Sequence, residues 1–86
     1  MILTGRVTLN GSLPAQHAVV EIHNSQGDVL DQMQVDPSAI YAFHLIPGTW
    51  SVRAWDNQGR RAQAKVKLGD RDTVFDINLT EPEETR

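Results

Sequence analysis

The sequence predicts an all-β fold, a seven-stranded Greek-key β-sandwich. Apolar and polar residues alternate with a period of two along most of the chain, and Gly, Pro, Asn and Asp interrupt this alternation about every ten residues. No stretch has the spacing of an amphipathic helix. Because each predicted strand has one apolar face, the strands must cover a shared core, either as two packed sheets or as a closed barrel. We favour two sheets.

The first half of the chain contains three predicted strands. Residues 3–9 form the first, with an inner face made of Leu3, Val7 and Leu9. Residues 18–23 form the second, with Ala18, Val20 and Ile22 inward and Val19, Glu21 and His23 outward. A turn at residues 24–28 leads into the third strand, residues 29–35. This strand ends before Pro37, because proline cannot donate a hydrogen bond to a sheet.

The second half contains four more predicted strands, separated by turns at Pro47-Gly48, at residues 56–59 and at residues 69–72. The fourth strand, residues 41–45, turns Tyr41, Phe43 and Leu45 inward and His44 outward. The fifth, residues 49–55, places Trp50, Val52 and Ala54 inside, with Trp50 as the main anchor, and Arg53 and Trp55 outside. The sixth strand covers residues 62–68, with Lys65 and Lys67 outward. The seventh, residues 75–79, buries Phe75, Ile77 and Leu79.

Length and charge restrict the domain organisation and the partners. The 86 residues suffice for one core, so we expect a single domain at residues 1–80 and an acidic, flexible tail at residues 81–86. Residues 1–80 hold 7 bases and 8 acids. This near-neutral balance argues against nucleic-acid binding and against attachment to an anionic membrane, both of which require clustered cations. With no apparent signal peptide, the chain is expected to be cytoplasmic.

Several short segments together resemble the carboxypeptidase regulatory-like domains of the prealbumin-like (transthyretin-like) superfamily. They are Thr4-Gly5-Arg6-Val7, Asn10-Gly11, residues 18–22, residues 41–45 and Pro47-Gly48-Thr49-Trp50-Ser51-Val52. The segment that begins at Pro47 is similar to small stand-alone actinobacterial members of unassigned function. The resemblance implies a seven-stranded sandwich that acts as a non-catalytic accessory or interaction module. Without the family, we interpret Gly5 as a residue that lets a bulky side chain such as Trp50 approach the first strand.

The sequence carries no catalytic signature and predicts no cofactor. It has no Cys, no Gly-x-Ser-x-Gly elbow and no glycine-rich phosphate loop. His23 and His44, with Glu21 as a third donor, could form a metal site only if their strands are neighbours in one sheet. We instead interpret them as polar residues on a hydrated sheet face and predict no metal.

Trp55 and Arg53 are the candidate binding residues. The alternation places both side chains opposite the core-facing Trp50, so an indole with about 200 Å² of surface is expected outside the core. Tryptophan and arginine are enriched among residues that dominate protein interfaces. We therefore expect a protein partner or a second copy of the chain, and the alternative is a carbohydrate-binding module that stacks a sugar ring on Trp55. A third interpretation is that Trp55 folds back over the sheet edge.

Overall fold

A computed structural model describes residues 1–80, which form nine β-strands in two sheets and, within that range, no helix. None of these residues forms a helix that could span a membrane. The predicted acidic tail, residues 81–86, lies outside the described residues. The strands are β1 (Ile2–Leu9), β2 (Leu13–Pro14), β3 (Val19–His23), β4 (Val29–Gln34), β5 (Ile40–His44), β6 (Gly48–Trp55), β7 (Arg61–Leu68), β8 (Thr73–Val74) and β9 (Ile77–Leu79).

The first sheet is built around β1. On one edge β1 pairs antiparallel with β5 and then with β2. On the other edge it pairs in parallel with β8 and then with β9, so that Leu3 lies opposite Thr73 and Leu9 opposite Leu79. The amino-terminal strand is therefore the central strand of its sheet, and its neighbours come from distant parts of the chain.

The second sheet has the order β4-β3-β6-β7, and all its pairs are antiparallel. The register of β3 against β4 shifts between Ile22 and His23. The β6–β7 pair is the longest and regular over its full length, from Gly48 opposite Leu68 to Trp55 opposite Arg61. These two strands form a regular hairpin that carries the candidate site.

Side chains from both sheets form one apolar core. Trp50 is 7% exposed, and its indole N–H donates to the Ile46 carbonyl at 3.0 Å, which confirms the predicted inner anchor. The predicted inner residues of the other strands are buried or packed against this core. The buried set comprises Leu3, Val7, Ala15, Ala18, Val20, Ile22, Val35, Ala39, Tyr41, Phe43, Trp50, Val52, Ala54, Val66, Leu68, Ile77 and Leu79.

Each of the seven predicted strands has a counterpart, but the structure has nine. The short β2 in the loop around Pro14 was not predicted. The last predicted strand, residues 75–79, begins too early, because Phe75 and Asp76 lie outside the sheet pairing and β9 starts at Ile77. The short β8, Thr73–Val74, was not predicted. The prediction of seven strands was therefore wrong in number, although the all-β, two-sheet arrangement is confirmed for residues 1–80.

Gly5 leaves space for a close contact, as interpreted from the sequence, but the predicted contacting residue, Trp50, was wrong. A Cβ atom at Gly5 would lie 1.9 Å from the carbonyl oxygen of Phe75 and 3.0 Å from the Tyr41 ring. The backbone at Phe75, rather than Trp50, thus occupies the space that Gly5 leaves open. Tyr41 also holds the backbone at Phe75 in this position, because its hydroxyl donates to the Phe75 carbonyl at 2.5 Å.

Candidate functional site

The outer face of the four-stranded sheet holds both predicted binding residues. Val52 and Ala54 of β6 are buried, and Arg53 and Trp55 lie on the opposite face as predicted. Arg53 is exposed and Trp55 is partly buried. The strand register places Val19, Trp55 and Arg61 in one cross-strand row and Glu21, Arg53 and Gln63 in the next.

A groove of about 700 Å³ runs over these two rows. We call it the Trp55 groove. Its lining combines one indole, one carboxylate, two guanidinium groups and one amide, which is a surface that offers both apolar contact and directional hydrogen bonds. The lining residues are Glu21, Arg53, Ala54, Trp55, Arg61, Ala62 and Gln63.

The hairpin turn that follows Trp55 holds the groove in place. Asp56 Oδ1 accepts from the backbone N–H groups of Gln58 and Arg60 at 2.9 and 3.0 Å, and its Oδ2 accepts from Arg60 Nη1 at 2.8 Å. Burial alone would raise the pKa of Asp56. The hydrogen bonds and the Arg60 charge outweigh burial, so the pKa of Asp56 lies below its usual range. This turn fixes the register in which Trp55 faces Arg61.

Cations cluster beside the groove. Arg61, Lys65 and Lys67 are exposed on alternate positions of β7, and Arg53 lies on the adjacent β6. We call these four side chains the basic face. Four of the seven bases in residues 1–80 thus share one sheet face. The near-neutral balance of charges was taken above to mean that the cations are not clustered. That premise was wrong, because net charge says nothing about how strand pairing distributes the charges.

His23 is not on a hydrated face, and that part of the prediction was wrong. The residue is 6% exposed, and its Nε2 lies 2.5 Å from Glu21 Oε1 while Nδ1 lies 3.3 Å from the Gly27 carbonyl. The other Glu21 oxygen accepts from Gln32 Nε2 at 3.2 Å. The Glu21 carboxylate is therefore already engaged by two neighbours, and the cations of the basic face dominate the charge of this surface.

The three candidate metal ligands do not assemble. His23 and Glu21 lie on β3 of the second sheet, and His44 lies on β5 of the first, where it is exposed opposite Ile2. Among residues 1–80 no group of three or more His, Asp or Glu side chains is arranged to hold a metal ion.

A second, smaller cavity of about 180 Å³ lies behind β7, where the two sheets meet. We call it the β7–β9 slot. Ala62 and Ala64 line it from β7, and on the opposite side it is lined by Ile77 of β9 and by Phe75, just before β9. Alanine methyl groups leave this space unfilled. The slot was not predicted from the sequence. The signal for it was that two of the inward positions of β7, Ala62 and Ala64, carry small side chains, whereas the next two carry larger ones.

Comparison with known protein families identifies the family of this chain. A search of curated proteins finds no match. A family of proteins of unknown function, DUF1416, matches residues 1–79, which is nearly the whole chain. The chain therefore belongs to the DUF1416 family.

Proposed function

We propose that this chain is a non-catalytic binding module that meets a protein partner, or a second copy of itself, through the Trp55 groove. The fold we propose for it is the prealbumin-like Greek-key sandwich of the carboxypeptidase regulatory-like domains. The observation that carries the functional proposal is a partly exposed indole in a groove of about 700 Å³, flanked by Arg53 and Arg61.

The groove has the composition of an interface centre. Tryptophan and arginine contribute most to binding where they are desolvated together, and an indole that loses its remaining contact with water gains about 25 cal/mol per Å² of apolar surface. The β6–β7 hairpin presents these side chains on paired strands rather than on a loop. A rigid surface loses little conformational entropy when it binds, which favours association.

Substitution of Trp55 by alanine tests this proposal. We expect association to weaken, seen as a shift in sedimentation velocity or in capture of the native partner, while the thermal midpoint stays nearly unchanged because Trp55 lies outside the core. Val74→Ala is the matched control, since Val74 is an apolar side chain with 72% exposure in the other sheet. Unfolding of Trp55→Ala, or equal association of both variants, would contradict the proposal.

Carbohydrate binding is the second candidate function. The observation that favours it is the combination of an indole with planar polar groups, Arg53 and Gln63, along one groove. Aromatic rings stack on sugar faces while such groups bond to hydroxyls. A glycan array probed with the wild-type chain and with Trp55→Ala separates the two functions, because only a glycan-binding groove gives array signals that the substitution removes.

A further inference from the structure

The two outer strands of the second sheet differ in how open their edges are. Along β7, the only strand-type contact on the side away from β6 within residues 1–80 is a single antiparallel bridge between Arg61 and Thr80. In an antiparallel strand, alternate residues direct their N–H and C=O groups away from the partner strand. The rest of the β7 edge therefore offers backbone donors and acceptors to an additional strand.

The β4 edge is less open, because one of its own side chains occupies a backbone N–H. The Gln32 N–H donates to Asp31 Oδ1 at 2.8 Å. A carboxylate that occupies a backbone N–H competes with any incoming strand for that N–H. Of the two edges, β7 is therefore the more open to an added strand.

The β7–β9 slot lies where alternate side chains of such an added strand would point. Successive side chains of a strand face opposite sides of the sheet, so every second one would face inward beside Ala62 and Ala64. The slot has room for small apolar groups. Asp76 also lines it, with Oδ1 accepting from the Arg6 N–H at 2.9 Å, and its carboxylate disfavours inward acidic groups.

The outward side chains of the same strand would meet the basic face. Lysines on an edge strand repel a basic strand and lose hydration without compensation beside a neutral one, but they attract an acidic strand. The lysine charges of β7 therefore make an acidic strand the preferred partner. A nucleic acid would also be attracted, but it lacks the evenly spaced amides that pair with a strand edge, so the open edge and the slot favour a peptide.

We propose that β7 binds an extended peptide segment in which acidic and small apolar residues alternate. The segment adds as a strand to the second sheet, with its acidic side chains on the basic face and its apolar side chains in the β7–β9 slot. This inference rests on the proposed protein-binding function, and it specifies the chemistry and the binding mode of the partner.

The test is a nuclear magnetic resonance titration of the full ¹⁵N-labelled chain with a synthetic peptide of alternating glutamate and alanine, as long as β7. We expect shifts along β7 and slower hydrogen exchange of its edge amides. Three further probes serve as comparisons: the same peptide with lysine for glutamate, a peptide of equal composition with the two residue types in separate blocks, and a short oligothymidylate. Each is expected to bind at least about tenfold more weakly.

Variants separate the contribution of charge from that of the slot. The double substitution Lys65→Glu with Lys67→Glu should weaken binding of the alternating peptide by about tenfold or more. Arg71→Glu is the control, because Arg71 is exposed in the loop before β8 and is not one of the four side chains of the basic face. Ala64→Leu, which fills the slot from β7 without a change of charge, should also weaken binding.

Three outcomes overturn strand addition: no binding of the alternating peptide, equal binding of the block peptide or the oligonucleotide, or shifts without added protection in β7. None of these decides the proposed function, which depends on the separate comparison of Trp55→Ala with Val74→Ala. If that comparison fails while β7 is protected by the peptide, the Trp55 groove is not the binding surface but strand addition stands.

Discussion

Tyr41 is the residue whose chemistry is most strongly set by its surroundings. Its side chain is fully buried, it lies beside Phe43 with ring centroids 5.9 Å apart, and its hydroxyl donates to the Phe75 carbonyl. Burial, with a smaller contribution from the negative charge of Asp76, raises the pKa of Tyr41 well above its usual range. The phenol therefore stays neutral and remains a donor in the folded chain.

This pKa shift predicts a loss of stability in alkali. In the unfolded chain tyrosine ionises near pH 10, whereas the folded chain keeps its proton, so the contribution of Tyr41 to the free energy of unfolding falls as pH rises above about 10. Tyr41→Phe should be about 1–3 kcal/mol less stable at pH 7, because the Phe75 carbonyl loses its donor. Urea midpoints of both chains at pH 7 and near pH 11 measure the effect.

The comparison is decisive because every other titrating group is common to both chains. We expect the gap in stability between wild type and Tyr41→Phe to narrow at the higher pH. A gap of constant size would show that Tyr41 ionises equally in the folded and unfolded chains.

Single residues were predictable where the alternation of a strand decides their face, and less so where a neighbouring segment covers them. Trp50 and Trp55 fell on opposite faces as predicted, since parity within β6 fixes both. His23 lies at a position of β3 whose side chain points outward, as predicted, but the turn at Gly27 and the Glu21 side chain cover it. Local sequence gives a direction for a side chain, and contacts from elsewhere determine its exposure.

At the scale of elements, the β6–β7 hairpin joins the Trp55 groove to the basic face. The turn at Asp56 holds its closed end, where Arg60 and the backbone N–H groups converge on one carboxylate. The Asp56 side chain is only 5% exposed and that of Arg60 is 24% exposed. This pair is thus shielded from water more than an ordinary surface ion pair.

We expect Asp56→Asn to reduce the free energy of unfolding at pH 7 by about 1 kcal/mol, because a charged partner of Arg60 is lost while the backbone hydrogen bonds are retained. The lowered pKa of Asp56 gives the sign of the pH dependence. Its contribution is present above the unfolded value near pH 4 and is lost as pH falls through the lower folded value. Thermal midpoints of wild type and variant, measured at several pH values between 7 and 2, test this loss of stability.

Asp36→Asn is the matched control for that turn. Asp36 Oδ1 accepts from the backbone N–H groups of Ser38 and Ile40 in the same pattern, at 2.8 and 2.9 Å, and no arginine among residues 1–80 forms an ion pair with it. At pH 7, Asp36→Asn should lower the free energy of unfolding by less than Asp56→Asn does. An equal cost would mean that the turn geometry, and not the Arg60 charge, is what Asp56 supplies.

The sequence predicted where most strands lie but not which strands are neighbours. Lys65 and Lys67 were assigned to an outward face, and so was Arg53, yet their common surface depends on the pairing of β6 with β7. The β7–β9 slot depends on how the two sheets meet, which is a relation between segments more than ten residues apart. Alternation carries no information about either relation, so the candidate site could be predicted only in part.

At the scale of the whole molecule, the two ends of the described chain close the first sheet. β8 and β9 flank β1 in parallel, and the Phe75 N–H donates to the Thr4 carbonyl at 2.8 Å where the chain passes over Gly5. The pass is close enough that only a residue without a Cβ atom fits there. Gly5 is thus a packing requirement of the entire sheet.

Gly5→Ala should destabilise the chain by more than about 3 kcal/mol, because the added methyl group would lie 1.9 Å from the Phe75 carbonyl oxygen and the backbone must move. Gly69→Ala is the control, since a Cβ atom there meets no other atom within 4 Å. Chemical denaturation of the two variants measures the difference. A Gly5→Ala midpoint as high as that of Gly69→Ala would mean that the last strands can shift away from β1 without cost.

The central position of β1 also determines when the domain can form during synthesis. Of the nine described strands, the ribosome makes β1 before all others and its parallel neighbours, at residues 73–79, after all others, about 70 positions later. Until then one edge of β1 stays without its strand partners, and the nascent chain cannot complete its first sheet. Pairings between such distant segments slow folding, to milliseconds or seconds in all-β domains. The exposed edge of β1 can therefore pair with a wrong strand for as long as β8 and β9 have not been synthesised. Protection against such mispairing is required during translation.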